Sequence, residues 1–425
     1  MKQDQTLILL TSRFPYSPGE EFIYNELMTL SQKFKHILIV PTNQECWNRD
    51  EPHGRELPAN VKVHIIKSET INPKVRKVKG LLSGLTSPSV RSWYKRDIQN
   101  AKKFGLKGKF KLYKWVVDAY QIRKKLDLIE NSISQNAVFY SYWLTPAAAA
   151  LAMWKEDNPK ITAVSRVHGG DLYWERHAMP YLPVQKDVIQ SLDKIFSISD
   201  NGKKYLKERF PGISDNIEVS RLGTKGVELS NTDEALSSQS PIKMVSVSYL
   251  KGVKRVHLIA EAIRKARVPV HWVHIGDGPE REKIQGIIDQ FPEMSKGELL
   301  GSLSNDEVIN ALSSQRFDLF INVSESEGIP VTIMEAFSAR IPVLATDVGG
   351  TSELVNSSNG WLLNKDFYPE EIAGILDKVG TSPELISQKR EHAYQMWEEH
   401  YSCEKNYSEF AEKMLSIGDL RQHGN

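Results

Sequence analysis

Two glutamates, Glu327 and Glu335, stand eight positions apart in "ESEGIPVTIMEAFSARIPVLATDVGG", a stretch that begins at Glu325. The residue types around them suit the recognition of a nucleotide. "FDLFINVS" reads as a strand ending near Ser324, and "TIMEAFSA" as a helix starting soon after Pro330. The segment between is then a loop at the carboxyl end of a strand, the edge where open α/β sheets bind ligands. A helix N-terminus there offers unpaired backbone N–H groups and partial positive charge, a seat for a phosphate. Gly328 lets the backbone approach a ligand, and Pro330 opens the helix without wasting a donor. Glu335, in the first turns of the helix, can accept two hydrogen bonds from a ribose diol, and Glu327 can reach the hydroxyls of a sugar beyond the phosphates. The spacing equally allows Glu327 to be a solvated loop residue and Glu335 to complement the helix dipole.

Such a loop needs a sheet behind it. Short apolar runs alternate with amphipathic ones along most of the chain, the pattern of parallel sheets covered by helices. "LILLTSRF", "HILIVP", "AVFYSYW", "ITAVSRV" and "KIFSIS" read as strands of a first half, with "EEFIYNELMTLSQKF" as a helix. The polar, serine-rich "VELSNTDEALSSQSP" from Val227 to Pro241 reads as a linker. After it come the strands "IKMVSVSYL" and "VHWVHIGDG", the short run "GELLG", the helices "RVHLIAEAIRKA", "PEREKIQGIIDQF" (Pro279 at its start) and "NDEVINALSSQ", and then the opening stretch. From about Pro369 the chain reads as mostly helical. Two doubly wound halves of this kind place a ligand cleft between the carboxyl ends of two sheets.

The 425 residues exceed what one core usually supports, which agrees with two domains. Charge is nearly balanced at +2, and the composition is that of an ordinary globular protein. The apolar run in "MKQDQTLILLTSRF" is too short for a signal peptide, and no later run reaches the length of a spanning helix. Cys46 and Cys403 make neither a disulfide framework nor a metal spacing, so they read as incidental thiols of a reducing cytoplasm. No Asp-x-Asp pair, HExxH or Cys/His cluster offers metal ligands. "GDGPERE" lacks the third glycine of a dinucleotide fingerprint and follows the wrong strand for one.

The ordered set Glu327, Gly328, Pro330, Glu335, Ala336, Pro342, Val343, Thr346, Asp347, Gly349, Gly350 and Glu353 resembles the signature of family 4 (group 1) of the retaining nucleotide-sugar glycosyltransferases, of the bacterial surface-polysaccharide type. The resemblance extends to "IGDGPERE", "NGWLL", "SRVHGGDLY" and "SISDNG". It implies an α/β fold of GT-B class, two Rossmann-like domains facing a central cleft. An acceptor domain is expected over 1–225, with a basic insertion at about 73–126, and a donor domain over 240–395. A helical segment, 396–425, is a candidate to cross back to the first domain.

The resemblance also implies roles. Glu335 would hold the donor ribose and Glu327 the donor sugar, with the backbone of Gly328, Ile329, Pro330 and Val331 lying around the phosphates and amides within that stretch contributing. "YLKGVKRVHLI" places Lys254 where the family clamps the diphosphate, and a cation there stabilises the charge of the leaving group. The family's Arg before that Lys is missing; Arg255 or Lys251 is left to supply the second positive charge. His168, in "RVHGGDLY", matches a His-Gly-x-Asp motif and would face the donor sugar across the cleft. Gly19, in the loop after the first strand, matches loops that approach the diphosphate. No cofactor and no metal are expected, since the nucleotide-diphosphate sugar is itself the substrate.

The expected activity is transfer of a hexosyl group, with retention, to a saccharide or lipid-linked saccharide acceptor in the cytoplasm. An epimerase or phosphorylase could use the same two-domain frame. A different class of reading rests on residues 73–126, where basic residues heavily outnumber acidic ones and Trp93, Tyr94, Phe104, Phe110, Tyr113 and Trp115 are interleaved. The stretch is either a solvated insertion or a binding surface, and an anionic membrane on the inner face of the cell suits it better than nucleic acid.

Overall fold

The computed structural model describes the chain except residues 1–2, 18, 50–53, 70–71, 131–135, 214, 228–239 and 423–425. Nearly all of the expected linker lies outside the described residues. The chain divides into two compact units, Met1–Ser220 with Tyr407–Asn425, and Arg221–Asn406. The first boundary thus falls at Ser220 rather than 225. The one expected at 395/396 lies inside the helix Glu384–His400, which runs on unbroken, and the second unit ends only at Asn406.

The first unit is built on seven parallel strands: β1 Gln3–Thr11, β2 Phe34–Pro41, β3 Val61–Val63, β4 Ala137–Ser141, β5 Thr162–Val167, β6 Lys194–Ser197 and β7 Ile217–Val219. Their order is β3-β2-β1-β4-β5-β6-β7. Side chains alternate across the pleat, so Leu7 and Leu9 enter one core while Ile8 and Leu10 enter the other. Both faces are covered, as parallel sheets require. On the Ile8 side lies the helix Pro146–Asp157, buried continuously from Ala147 to Trp154. On the Leu7 side, the last helix, Cys403–Gln422, contributes Phe410, Ala411, Met414 and Leu415. The basic stretch folds as three helices, Pro73–Thr86, Pro88–Lys102 and Gly105–Glu130.

The second unit repeats the plan with six parallel strands: β8 Ile242–Val247, β9 Val270–Ile275, β10 Lys296–Gly301, β11 Leu319–Asn322, β12 Val343–Thr346 and β13 Gly360–Leu363. The order is β10-β9-β8-β11-β12-β13. In each sheet the winding direction reverses beside the first strand, between β1 and β4 and between β8 and β11. That reversal opens a crevice at the carboxyl ends, the place where a ligand can reach backbone groups from two loops.

Candidate functional site

In the second unit the switch point is flanked by the loops after β8 and β11. After β8 the chain makes a 3-10 turn, Gly252–Lys254, before the helix Val256–Lys265. After β11 it runs through Glu327 to Pro330, which caps the helix Val331–Ser338 in an extended conformation. The N–H of Glu325 donates to the Val253 carbonyl at 2.8 Å, tying the two loops together. Lys254 Nζ then meets Glu327 Oε1 at 2.5 Å. Glu327 is buried and Lys254 only partly so. A cation, a carboxylate and a helix N-terminus therefore share one crevice.

The Gly-Gly pair explains how the Glu327 loop keeps its path. Gly349 has φ +58°, and a Cβ there would sit 2.0 Å from the Glu327 carbonyl oxygen. The N–H of Gly350 donates to the Gly328 carbonyl at 2.7 Å. One turn earlier, Thr346 Oγ1 donates to the Ser324 carbonyl at 2.6 Å. Only a residue without a side chain allows the backbones this close.

Glu335 is buried in the same helix and accepts a 2.9 Å hydrogen bond from Asn305 Nδ2. Burial pushes its carboxyl up to about 7, with the Asn305 bond opposing the shift. A carboxyl poised there ionises readily once further donors arrive, and two hydroxyls are such donors. Asn305 was not foreseen. Its place follows from Ser304 and Glu307, whose capping box sets the start of the helix Asn305–Ser314.

Arg255, expected near the diphosphate, also has structural partners. It sits in the left-handed region at φ 51°. Its guanidinium donates to the carbonyls of Val323 (2.8 Å), Ser324 (3.1 Å) and Lys365 (2.8 Å) and lies over the Phe367 ring. It staples the β11 loop from behind, and the neighbouring Lys251 is the exposed cation of this turn. The "GDG" stretch likewise serves close packing. Cβ atoms at Gly276 and Gly278 would meet the Ser248 and Leu250 carbonyl oxygens at 1.9 and 2.5 Å. His274 completes the support: its Nε2 contacts the Ser248 carbonyl at 3.0 Å and its Nδ1 the Ser246 hydroxyl at 2.8 Å. Burial lowers this imidazole to about 4, so it stays neutral. A cavity of about 530 Å³ lies at the opposite, amino-terminal edge of the same sheet, beside Lys243, His271, Lys296 and Asp318, and holds none of these residues.

The first unit has its own cluster at the carboxyl ends of β1, β4 and β5. His168 follows β5 directly. Its ring stacks on Tyr142 at 4.7 Å and tilts against Trp143 at 4.5 Å. The ring is buried, and among the described residues neither Nδ1 nor Nε2 has a hydrogen-bond partner. Burial, with Arg166 nearby, holds it well below the usual histidine range, so the imidazole is neutral. An unpaired buried ring is costly unless something else fills the bond, which favours a ligand role over a structural one. Asp171 accepts the backbone N–H groups of His168 (2.5 Å) and Leu144 (2.6 Å) and so fixes the turn.

Gly19 is exposed, at φ +98°, with open space where a Cβ would stand, and its N–H donates to Glu21 Oε1 at 3.0 Å. The residue with more contacts is its neighbour. Glu20 is buried and accepts the N–H groups of Ser12 (3.0 Å), Arg13 (2.5 Å) and Phe14 (2.7 Å) together with Trp143 Nε1 (2.5 Å). No local signal marks it, because its donors come from two separate loops.

Residues 230–396 match the family model described as "Glycosyl transferases group 1". The O-antigen biosynthesis glycosyltransferase WbnH of Escherichia coli is 31% identical over 196 residues, 46% of this chain and 53% of that protein. The chain spans about half the length of the curated relatives it matches. Among solved structures, Anabaena Alr3699/HepE in complex with UDP aligns with a TM-score of 0.64 at 14% identity, covering 97% of this chain and 100% of that one. The lipopolysaccharide outer core galactosyltransferase WaaB in its apo form aligns at 0.64 and 16%, covering 99% of each. At such identities the structures speak for the fold alone, and that fold is GT-B. The second unit thus resembles the group 1 glycosyl transferases of the bacterial surface-polysaccharide type, on a chain of GT-B fold.

Proposed function

We propose that the chain is a retaining glycosyltransferase that moves a hexosyl group from a nucleotide-diphosphate donor to a saccharide or lipid-linked saccharide during bacterial surface-polysaccharide synthesis. The observation that carries this reading is the meeting of Lys254 with Glu327 beside the N-terminus of the Val331–Ser338 helix, with buried Glu335 on that same helix. Lys254 and the helix amides suit a diphosphate, Glu335 a ribose diol and Glu327 the hydroxyls of the sugar.

In the step so read, the bond from the sugar's anomeric carbon to the diphosphate oxygen breaks. Lys254 and the amides hold the charge that develops on that oxygen. The acceptor hydroxyl attacks from the same face, forms the new glycosidic bond and gives its proton to the departing diphosphate. His168, neutral and unpartnered, is suited to hydrogen-bond a sugar hydroxyl, and Gly19 leaves its loop open to the ligand. The chain's own cations serve the leaving group, so no metal is required. The names of the relatives support the polysaccharide role, and the UDP in the HepE structure makes UDP the first nucleotide to try. The place of work is the cytoplasm, at the inner face of the cell membrane, where lipid-linked acceptors are found; no nucleic acid is involved.

Thermal melting with a panel of nucleoside diphosphates and their sugars tests the reading. A ligand that binds the native state raises the melting temperature by mass action. A shift with one diphosphate, lost in Glu335→Ala and insensitive to chelator, is the expected result. No shift with any member of the panel would overturn it.

A further inference from the structure

The helix Pro73–Thr86 is amphipathic in the wrong direction for a helix that covers a core. At about 100° per residue, Arg76, Gly80 and Gly84 share one face and Val75, Val78, Leu82 and Leu85 the opposite one. The first face is the buried one. Arg76 donates to the Gln44 carbonyl at 2.6 Å and lies over the Trp47 ring. A Cβ at Gly84 would meet Val117 at 2.5 Å, so the helix backbone lies tight on the helix Gly105–Glu130. The large apolar side chains point away from the protein: Val75 is 44% exposed, Val78 57%, and Leu82 and Leu85 61% each. Single exposed apolar residues are ordinary, but a stripe of four opposite the packed face is not. The tight glycine face also prevents the helix from rolling the stripe inward.

The charges around the stripe identify what covers it. Lys79 flanks one side and Lys74 and Lys77 the other, all exposed. Residues 73–126 contain sixteen Lys or Arg against two Asp. Asp97 is buried, accepting from the Tyr181 hydroxyl (2.6 Å) and the Val184 N–H (2.8 Å), and Asp118 lies beside Lys77 and Lys114. A second apolar pair, Leu106 (82% exposed) and Phe110 (60%), stands one turn apart at the start of the neighbouring helix, next to exposed Lys107. That helix is tied to the first by the hydrogen bond from the Tyr113 hydroxyl to the Leu81 carbonyl. A second copy of the same surface would bring like charges together, which opposes self-association. A bilayer with anionic headgroups satisfies both features, apolar side chains entering the acyl boundary and lysines reaching the phosphates.

We infer that the Val75–Leu85 face of the helix Pro73–Thr86 is a membrane-docking surface that seats the first unit on anionic phospholipid. This deepens the membrane location within the proposed function but does not depend on the donor site. Vesicle binding can fail while the nucleotide shift persists, and the reverse.

The test is cosedimentation of the full chain with vesicles of phosphatidylcholine alone and of phosphatidylcholine with phosphatidylglycerol. The chain should pellet with the anionic vesicles only, and less at high salt. Leu82→Glu with Leu85→Glu should abolish binding without moving the melting temperature, both positions being exposed. Replacing Lys74, Lys77 and Lys79 by Gln should weaken binding about fivefold per lysine. A polarity-sensitive dye on Val78→Cys, the two native cysteines being buried, should shift to the blue with anionic vesicles. Failure of the chain to pellet would overturn the inference. So would a double variant that binds as well as the parent, a dye that does not respond, or a parent dimer that Leu82→Glu converts to monomer.

Discussion

The two switch points have one topology and opposite chemistry. After β8 and β11, backbone carbonyls are held from behind by Arg255, Thr346 and Gly350, while the crevice keeps Lys254, Glu327 and the helix amides. After β1 and β4, three successive backbone N–H groups are already taken by the chain's own carboxylate, Glu20, and the nearby imidazole of His168 is neutral and unpartnered. The first arrangement holds a cation, paired with Glu327, beside a helix N-terminus, which suits an anion. The second offers neutral hydrogen-bonding groups framed by Tyr142 and Trp143, which suit a polyol. Winding order places the crevices; the loops decide what each can bind.

The sharpest way to break this contrast is to remove the cation. Lys254→Ala should lower kcat by about 10²- to 10³-fold, the usual cost of one charge-stabilising donor, in initial-rate assays with a donor sugar. A rate within a factor of a few of the parent would remove Lys254 from the leaving-group site.

Gly349→Ala attacks the support of the same loop. The left-handed backbone alone costs about 1–3 kcal/mol, and the new Cβ would displace the Glu327 carbonyl as well. A lower melting temperature together with loss of the nucleotide shift is expected; loss of stability with the shift intact would mean that the pair serves packing only.

In the first unit, Glu20→Gln turns an acceptor toward a donor among three N–H groups. It should cost about 2 kcal/mol in denaturant unfolding. The nucleotide shift should survive, because Glu20 does not belong to the donor crevice. If the shift disappears, the division of labour between the units is wrong.

The last test is a pH dependence. Folding raises Glu335 to about 7 from an ordinary value of 4.5. The native state therefore holds the proton more tightly, and the stability it contributes falls as pH rises from 4.5 through 7. A diol that needs the carboxylate should bind up to about tenfold more weakly per pH unit below 7. The difference in stability between the parent and Glu335→Gln, followed by calorimetry across pH, should show this slope, because the contribution of His274 is common to both. His274 works in the other direction. Its folded value of about 4 against 6.5 makes stability fall as pH drops through that window.

Much of the crevice after β8 and β11 was legible in the sequence because several of its parts are local. Glu327, Pro330 and Glu335 lie within one loop and the helix that follows, where hydrophobic period and turn residues are informative. Lys254 was placed by likeness to a motif and is found against Glu327. The edge strands β3 and β7, three residues each, were too short to show a period. The hold of Arg255 on the carbonyls of Val323, Ser324 and Lys365 could not be read from residue type, since it joins loops up to 110 positions apart.

By itself the sequence determined the alternation of strand and helix, the split into two halves and the position of the loop after β11, since each depends on neighbours within a turn or two. Tertiary structure alone decided that Glu20 closes the first switch point, that Gly349 packs on Glu327, and that the helix Pro73–Thr86 turns its leucines outward. These depend on which distant backbones approach within a few ångströms, and that distance is set by the packing of whole elements, not by the residues between them.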